Sequence, residues 1–414
     1  MCKSHASGML FSVWKILALA LETGGIFMDK AYIAGGARSY IGIENSMYRN
    51  IPAEILGAKV LKYIIDKYKC KETDMVIAGN ATGAGGNITR LMALEAGLPE
   101  EMPAFTIDLQ CGSGLESIAV AAAKIQSRQA DCIIAGGFES CSTAPLRGYN
   151  KNHPGFGVYG DENSFYKVAK FSPSGHNQAA MLEGAERTAL SEGITRGMLD
   201  HWVLRSHALA KEAREKGVLK DIIADIREGS NKDEGIRDRI SQRLLDRLPF
   251  VLKGGSVLTA ANACLTNDGA AFVIICSGSY MKKHNLKPLA EFASVAETGV
   301  NPDESPRSAI KAIEKLLIKN NMDYHDISVY ECNEAFAVID ELFVRKFPDA
   351  ADRYNIFGGA LAYGHPYGAS GGIILLHALK ALEYSKLENN NRYAICSIAA
   401  AGGTGTAVLL KHIS

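Results

Sequence analysis

The run Ala104-Phe105-Thr106-Ile107-Asp108-Leu109-Gln110-Cys111-Gly112-Ser113-Gly114-Leu115 passes from an apolar, strand-like stretch into an alanine-rich helical one that continues to about Ile125. It predicts a strand–turn–helix joint, with Gly112 and Gly114 permitting the tight turn and Cys111 standing at the helix start. A thiol there faces unpaired N–H groups at the positive end of the helix, which can lower its pKa from ~8.5 to roughly 3.5–7.5 and make it a nucleophile. The competing reading is structural, since cysteines inside cells commonly serve as small buried hydrophobes.

A second stretch has the same form. His365-Pro366-Tyr367-Gly368-Ala369-Ser370-Gly371-Gly372 opens a helical run from Ile373 to Leu382, and the strand-like Arg392-Tyr393-Ala394-Ile395-Cys396 follows. In the first half, Asp131-Cys132-Ile133-Ile134-Ala135-Gly136-Gly137 follows the Cys111 helix in the same way. An internal duplication accounts for both. If the copies pack about a pseudo-twofold axis, their central helices lie side by side and bring Cys111 and His365 together. From Met28 onward apolar runs alternate with helical patterns, which places the chain in the α/β class. Residues 143–255 are richer in charge and isolated aromatics and carry one long amphipathic helix around Met198 to Lys216, so they read as an inserted, substrate-covering lobe. The strand pattern resumes at Val257, with Asn267-Asp268-Gly269-Ala270-Ala271 leading into Phe272 to Cys276. The expected organisation is a first half of residues 28–142 plus 256–290, the insertion 143–255, and a second half 291–414.

Composition narrows the classes of function. With 414 residues and 47% hydrophobic content the chain has the make-up of a globular protein with more than one core-forming unit. Its 45 basic residues balance 45 acidic ones, which gives no general electrostatic reason to expect nucleic acid or an anionic membrane as partner. Nine cysteines without paired spacing suggest neither a disulfide framework nor a metal site and fit the reducing cytoplasm. The segment Met9 to Leu21 imitates a signal peptide, but Lys15 interrupts it and it is too short to span a bilayer. Met28 is the expected natural start, residues 1–27 forming a non-native extension.

With these stretches in view, the chain from about Met28 to Ser414 resembles the thiolase family. The motifs that carry the resemblance run in order: Ala37-Arg38, Cys111-Gly112-Ser113-Gly114-Leu115, Gly136-Gly137-Phe138-Glu139-Ser140, Asn262-Ala263 with Asn267-Asp268-Gly269, Asn333-Glu334-Ala335-Phe336-Ala337, and Gly364-His365-Pro366-Tyr367-Gly368-Ala369-Ser370-Gly371. The resemblance implies duplicated βαβαβαββ halves in a layered α-β-α-β-α arrangement with an inserted loop domain. It implies a metal-free homodimer or homotetramer of lipid metabolism that moves acyl groups held as coenzyme A thioesters, with acyl carrier protein as the other carrier to consider. By the same resemblance Cys111 is the nucleophile and His365 its activator, and Asn333 positions a water beside His365. The main-chain N–H groups of Cys111 and Ala401 form an oxyanion hole. Cys264 and Phe336 contact the substrate, Cys264 standing where the family usually has a serine touching the pantetheine arm. Glu334 is left between ordering water and capping a helix.

One departure bears on the chemistry. The family usually carries a second catalytic cysteine in a C-terminal Cys-x-Gly-Gly-Gly-x-Gly loop, and here the loop reads Ala399-Ala400-Ala401-Gly402-Gly403-Thr404-Gly405. Alanine moves no proton, and losing a general base typically costs ~10²–10⁴ in rate. Cys396 and Cys332 are expected to be core, by strand alternation. The leading expectation is an acyltransferase that loads Cys111 from an acyl-CoA and passes the group on by Claisen condensation or thiolysis. The alternatives are a decarboxylating condensing enzyme with a malonyl donor, a thioester hydrolase, and a non-catalytic acyl-CoA-binding subunit.

Overall fold

Nine strands and the helices between them form two copies of one pattern. The computed structural model describes residues 29–70, 72–158, 165–173, 177–226, 231–384 and 392–413. The expected Met28 start and the 1–27 extension therefore fall outside the described residues. The first copy runs β1 (Ala31–Arg38), α1 (Ala53–Tyr68), β2 (Met75–Gly79), α2 (Ile88–Glu95), β3 (Ala104–Ile107), α3 (Ser113–Gln126), β4 (Cys132–Ser140) and, after the insertion, β5 (Asn267–Ser277). The insertion carries α4 (Ala180–Ser191) and α5 (Arg196–Lys216). The second copy runs β6 (Ala290–Gly299), α6 (Arg307–Lys319), β7 (Ile327–Cys332), α7 (Ala337–Lys346), α8 (Tyr367–Tyr384), β8 (Tyr393–Ala400) and β9 (Thr404–His412).

Strand order repeats as well. The first half is ordered β3-β2-β4-β5-β1 and the second β7-β8-β9-β6. The place of β3 in the second half is taken by a single parallel bridge, Tyr330 to Tyr354. In each half the inner pairings are parallel (β2 with β3 and β4; β7 with β8) and the last two antiparallel (β4 with β5 and β5 with β1; β8 with β9 and β9 with β6). The halves join where Ala31–Ile33 of β1 pairs antiparallel with Ala290–Phe292 of β6, so the two sheets of the layered fold share one hydrogen-bonded seam.

Alternation along the strands creates the layers. On β4, Ile133 and Ala135 face a core shared with Leu115 and Ile118 of α3 and Leu375 of α8. Cys132, Ile134 and Phe138 face Leu56 and Leu61 of α1. On β8, Ala394 and Cys396 face the shared helices, while Ile395 packs with Ile313 and Leu316 of α6. Because both faces are covered, these strands read as continuous apolar runs. Helix α8 is buried on nearly every residue from Gly368 to Leu382, as a helix with no polar face must be. It lies against α3 with no side chain between them: a Cβ on Gly371 would stand 2.0 Å from the Leu115 nitrogen, and one on Gly114 2.3 Å from the Gly368 oxygen.

The insertion departs from its sequence expectation in one respect. Its long helix begins at Arg196, capped by the Thr195 hydroxyl accepting from the Met198 N–H, and stops at Gly217 in the left-handed region. A second helix, α4, precedes it and buries Ala185 and Ala189 while Leu190 is exposed. The insertion is tied to the first half by a buried bidentate ion pair, Arg38 to Asp233 at 2.8 and 3.0 Å. The strand expected from Phe272 to Cys276 also starts earlier, at Asn267, because the polar Asn267-Asp268-Gly269 segment is paired with the end of β4 and with Gly42–Ile43.

Candidate functional site

Cys111 immediately precedes α3. The chain turns there through Gln110, a non-glycine residue at φ 52°, whose N–H and side-chain amide both donate to Asp108 Oδ1. Ser113 fixes the turn, its hydroxyl donating to the Gln110 carbonyl at 2.5 Å and accepting from the Leu109 N–H at 2.9 Å. The residue is half-buried, and the main-chain N–H groups of Ala401 and of Cys111 itself both bear on the sulfur. The low pKa expected from the helix start is overturned. Burial pushes the thiol up to about 12, because lost hydration outweighs the two N–H groups, and the carboxylates of Glu139 and Asp108 add to the rise.

Ala401 belongs to the three-residue connection between β8 and β9, followed by Gly402 at φ 86° and Gly403 at φ 79°. Ala401 itself is not in the left-handed region, so its methyl adds no backbone strain. Gly403 is required by space as well as by φ: a Cβ there would meet the Val300 carbonyl at 2.6 Å.

His365 stands just before α8, as Cys111 does before α3. Gly364 precedes it at φ 105°, and the Asn267 amide fills the space a side chain would take. Asn267 Oδ1 accepts from the His365 N–H at 2.9 Å, while its Nδ2 donates to the Gly42 carbonyl at 2.8 Å. The ring meets Ser370 Oγ at Nδ1 (2.6 Å) and Asn333 Nδ2 at Nε2 (3.4 Å). With the amide oriented this way only Nε2 can accept, so Nδ1 carries the proton and Nε2 is the basic nitrogen. Burial pushes the His365 pKa down to about 3, which keeps the imidazole neutral. Asn333 is held at the end of β7 by its N–H donating to the Ser397 carbonyl at 2.9 Å.

Two further carboxylates brace the site. Glu139 at the end of β4 accepts from Asn80 Nδ2, the N–H groups of Ala81, Thr82 and Gly368, and the Thr82 hydroxyl, at 2.7 to 3.1 Å. Burial pushes its pKa up, but five donors converge on it and a carboxylate is the form that uses them all. It locks the start of α8 to the strand beside Cys111. Its signal was the motif Gly136 to Ser140, to which sequence reasoning attached no role. Glu334 accepts from Ser206 of α5 (2.7 Å), Asn355 (2.9 Å) and the Leu361 N–H (3.1 Å). It therefore caps the short helix Ala360–Tyr363 and ties the insertion to the segment leading into His365.

Cys264 lies between these elements. Its N–H donates to the Ala335 carbonyl at 3.0 Å, the adjacent Ala263 is bridged to Phe336, and Thr266 is bridged to His365. Its side chain is partly exposed and lies within electrostatic range of Cys111. Phe336 is mostly buried, in the core on the outer side of the second half. Ala399 is buried on β8 opposite Gly405. Cys396 faces the other way, its thiol against the Ile374 carbonyl at 3.8 Å, and Cys332 is closed in the outer core, both as strand alternation predicts. Tyr367 is a site residue that sequence reasoning missed: its ring stands edge-on to His365 at 5.0 Å, and its phenol feels Cys141, Cys264, Cys111 and Glu139.

A cleft of about 610 Å³ opens beside Cys264, lined on the insertion side by His207, Arg237, Asp238 and Arg239 and on the other by Ala263 and Leu265. Among the described residues no cluster of His, Cys, Asp and Glu could hold a metal ion, and no helix is long and apolar enough to cross a membrane. The cleft offers charged and apolar groups to a ligand, and at the helix starts a thiol and a neutral imidazole can exchange a proton.

Comparison with known proteins agrees with this fold. Residues 31–279 match the family described as thiolase, N-terminal domain, and residues 286–412 the one described as thiolase, C-terminal domain. A putative acetyl-CoA C-acetyltransferase, YhfS, of Bacillus subtilis (strain 168) is 33% identical over 385 residues, covering 93% of this chain and all of the relative. The crystal structure of the Bacillus anthracis acetyl-CoA acetyltransferase superposes with a TM-score of 0.85 at 29% identity, over 94% of this chain and all of that one. That of human mitochondrial 3-ketoacyl-CoA thiolase in complex with CoA gives a TM-score of 0.84 at 28% identity, over 94% of this chain and 99% of that one.

Proposed function

The chain belongs to the thiolase family, and within it we propose an acyltransferase that takes an acyl group from a coenzyme A thioester onto Cys111 and passes it to an acceptor. One observation carries this reading: helices α3 and α8 touch backbone to backbone at Gly114 and Gly371, which sets Cys111, ahead of the first, and a neutral His365, ahead of the second with its Nε2 facing Asn333, at neighbouring helix starts, where the N–H groups of Cys111 and Ala401 bear on the sulfur. His365 Nε2 takes the thiol proton as the sulfur attacks the thioester carbonyl. The two N–H groups then hold the oxyanion, and the imidazolium returns the proton to the departing coenzyme A sulfur. Asn333 orients the imidazole and the water beside it. The carrier is supported by the relatives' names and by Arg237 and Arg239 at the cleft, both suited to phosphates.

Intact-mass measurement after incubation with a panel of acyl-CoA thioesters tests the reading. An acyl adduct on the wild type that is absent from Cys111→Ala is the expected result; no adduct, or one that survives the substitution, overturns it. Ala399 also favours a second reading, decarboxylative condensation, because loss of carbon dioxide from a malonyl thioester would supply the carbanion without a base. Carbon dioxide release from malonyl-CoA, with no acetoacetyl-CoA formed from acetyl-CoA alone, would select it.

A further inference from the structure

Carbon–carbon chemistry on an acyl-CoA needs a group that gives and takes the proton at the α-carbon, and Ala399 supplies none. We propose that Cys264 is that group: its thiol, on the segment bridged to Phe336 on one side and to His365 on the other, moves the α-proton in place of the absent second cysteine. The inference rests on the acyl-enzyme reading given above.

The placement of its segment between Phe336 and His365 carries it, and the electrostatics agree. Cys264 is partly exposed between Ala263 and Leu265, which line the cleft, whereas Cys332 and Cys396 are closed in opposite cores. Its charge and that of Cys111 disfavour one another, so the two sulfurs share one neighbourhood. The Tyr367 phenol, edge-on to His365, feels both sulfurs, which puts all four residues around the same space. Burial, and then Cys111, push the Cys264 pKa well above the usual thiol value. At neutral pH the thiol thus carries the proton it would donate.

In the thiolysis direction the steps balance. Cys111 sulfur, its proton on His365, attacks the 3-keto carbonyl; the bond between the α-carbon and that carbonyl carbon breaks, and the electron pair stays on the α-carbon. Cys264 S–H protonates that carbon, releasing acetyl-CoA and leaving the Cys264 thiolate. The incoming coenzyme A gives its thiol proton to Cys264, its sulfur attacks the Cys111 thioester, and the expelled Cys111 thiolate recovers its proton from His365.

The test uses the full chain as wild type, Cys264→Ser and Cys264→Ser/Ala399→Cys. Serine has the same shape and stands at this position in the family, so folding is not at stake. Two readouts are taken: acetylation of Cys111 by acetyl-CoA, from intact mass, and thiolysis of acetoacetyl-CoA, from its absorbance. In Cys264→Ser the ratio of thiolysis to Cys111 acetylation is expected to fall by ~10²-fold or more, and Ala399→Cys is expected to restore part of that ratio. Wild-type thiolysis in Cys264→Ser, loss of acetylation together with thiolysis, no rescue by Ala399→Cys, or a wild type that acetylates but never cleaves would each overturn the proposal. A wild type that does not acetylate sinks the acyl-enzyme reading itself, and this inference with it.

Discussion

Whether a thiol is reactive depends on the hydration it loses as much as on the dipole it faces. Cys111 has the helix start that its sequence announces, but in the substrate-free protein burial prevails and holds the proton on sulfur up to about 12. His365, pushed down to about 3, is equally unready to hold a charge, so no thiolate–imidazolium pair is preformed and the proton moves only with substrate in place. Iodoacetamide alkylation of Cys111 in the free protein should therefore rise ~tenfold per pH unit between pH 7 and 9. The sign follows from thiolate being the reactive form and the ambient pH lying below the thiol pKa; a rate that levels off at neutral pH would show a preformed ion pair instead. Cys111 and His365 were legible because glycine-rich turns announced them, and Asn333 only through the motif Asn333-Glu334-Ala335-Phe336-Ala337 that carries the family resemblance. The role of Glu334 was not, since a carboxylate's task depends on which donors reach it, and those come from α5, Asn355 and Leu361, far apart in the chain.

Among the elements, α3 and α8 decide the geometry. They touch backbone to backbone at Gly114 and Gly371, so the starts of both helices, and with them Cys111 and His365, are fixed relative to each other by contact that no side chain cushions. Gly371→Ala would set a methyl 2.0 Å from the Leu115 nitrogen, and main chain cannot give way. We expect a loss of roughly 3 kcal/mol in denaturant unfolding and a fall in Cys111 acylation as the helices separate. Gly299→Ala, where nothing lies within 4 Å of the new methyl, is the control and should stay within about 0.5 kcal/mol. Equal stability of the two variants would refute the close-contact account. Helix periodicity and glycine positions are open to inspection in the chain, and the duplication implies that the two helices lie side by side; that they meet at Gly114 and Gly371 is decided only by packing.

Across the whole molecule, one buried ion pair joins β1 to the insertion that forms one wall of the cleft. Arg38 and Asp233 are almost wholly out of solvent and 195 positions apart, and Asp233 also accepts from the Ile41 N–H at 2.8 Å. Arg38→Met and Asp233→Leu should each cost about 3–5 kcal/mol, because each strands its partner's charge or hydrogen-bonding groups. Together they should cost less than the sum by at least ~1 kcal/mol, measured by urea unfolding; strict additivity would mean that the pair is not coupled. The sequence by itself determined the α/β class, the duplicated pattern, the family and the thiol and imidazole at matching helix starts, because apolar periodicity and glycine-rich turns are local properties written along the chain. Tertiary structure alone decided that the two half-sheets share a seam, that burial raises the Cys111 pKa, that donors from distant positions converge on Glu139 and Glu334, and that Cys264 comes within electrostatic range of Cys111. Each of those depends on desolvation and on partners brought from distant positions, and neither is encoded in any one stretch of residues.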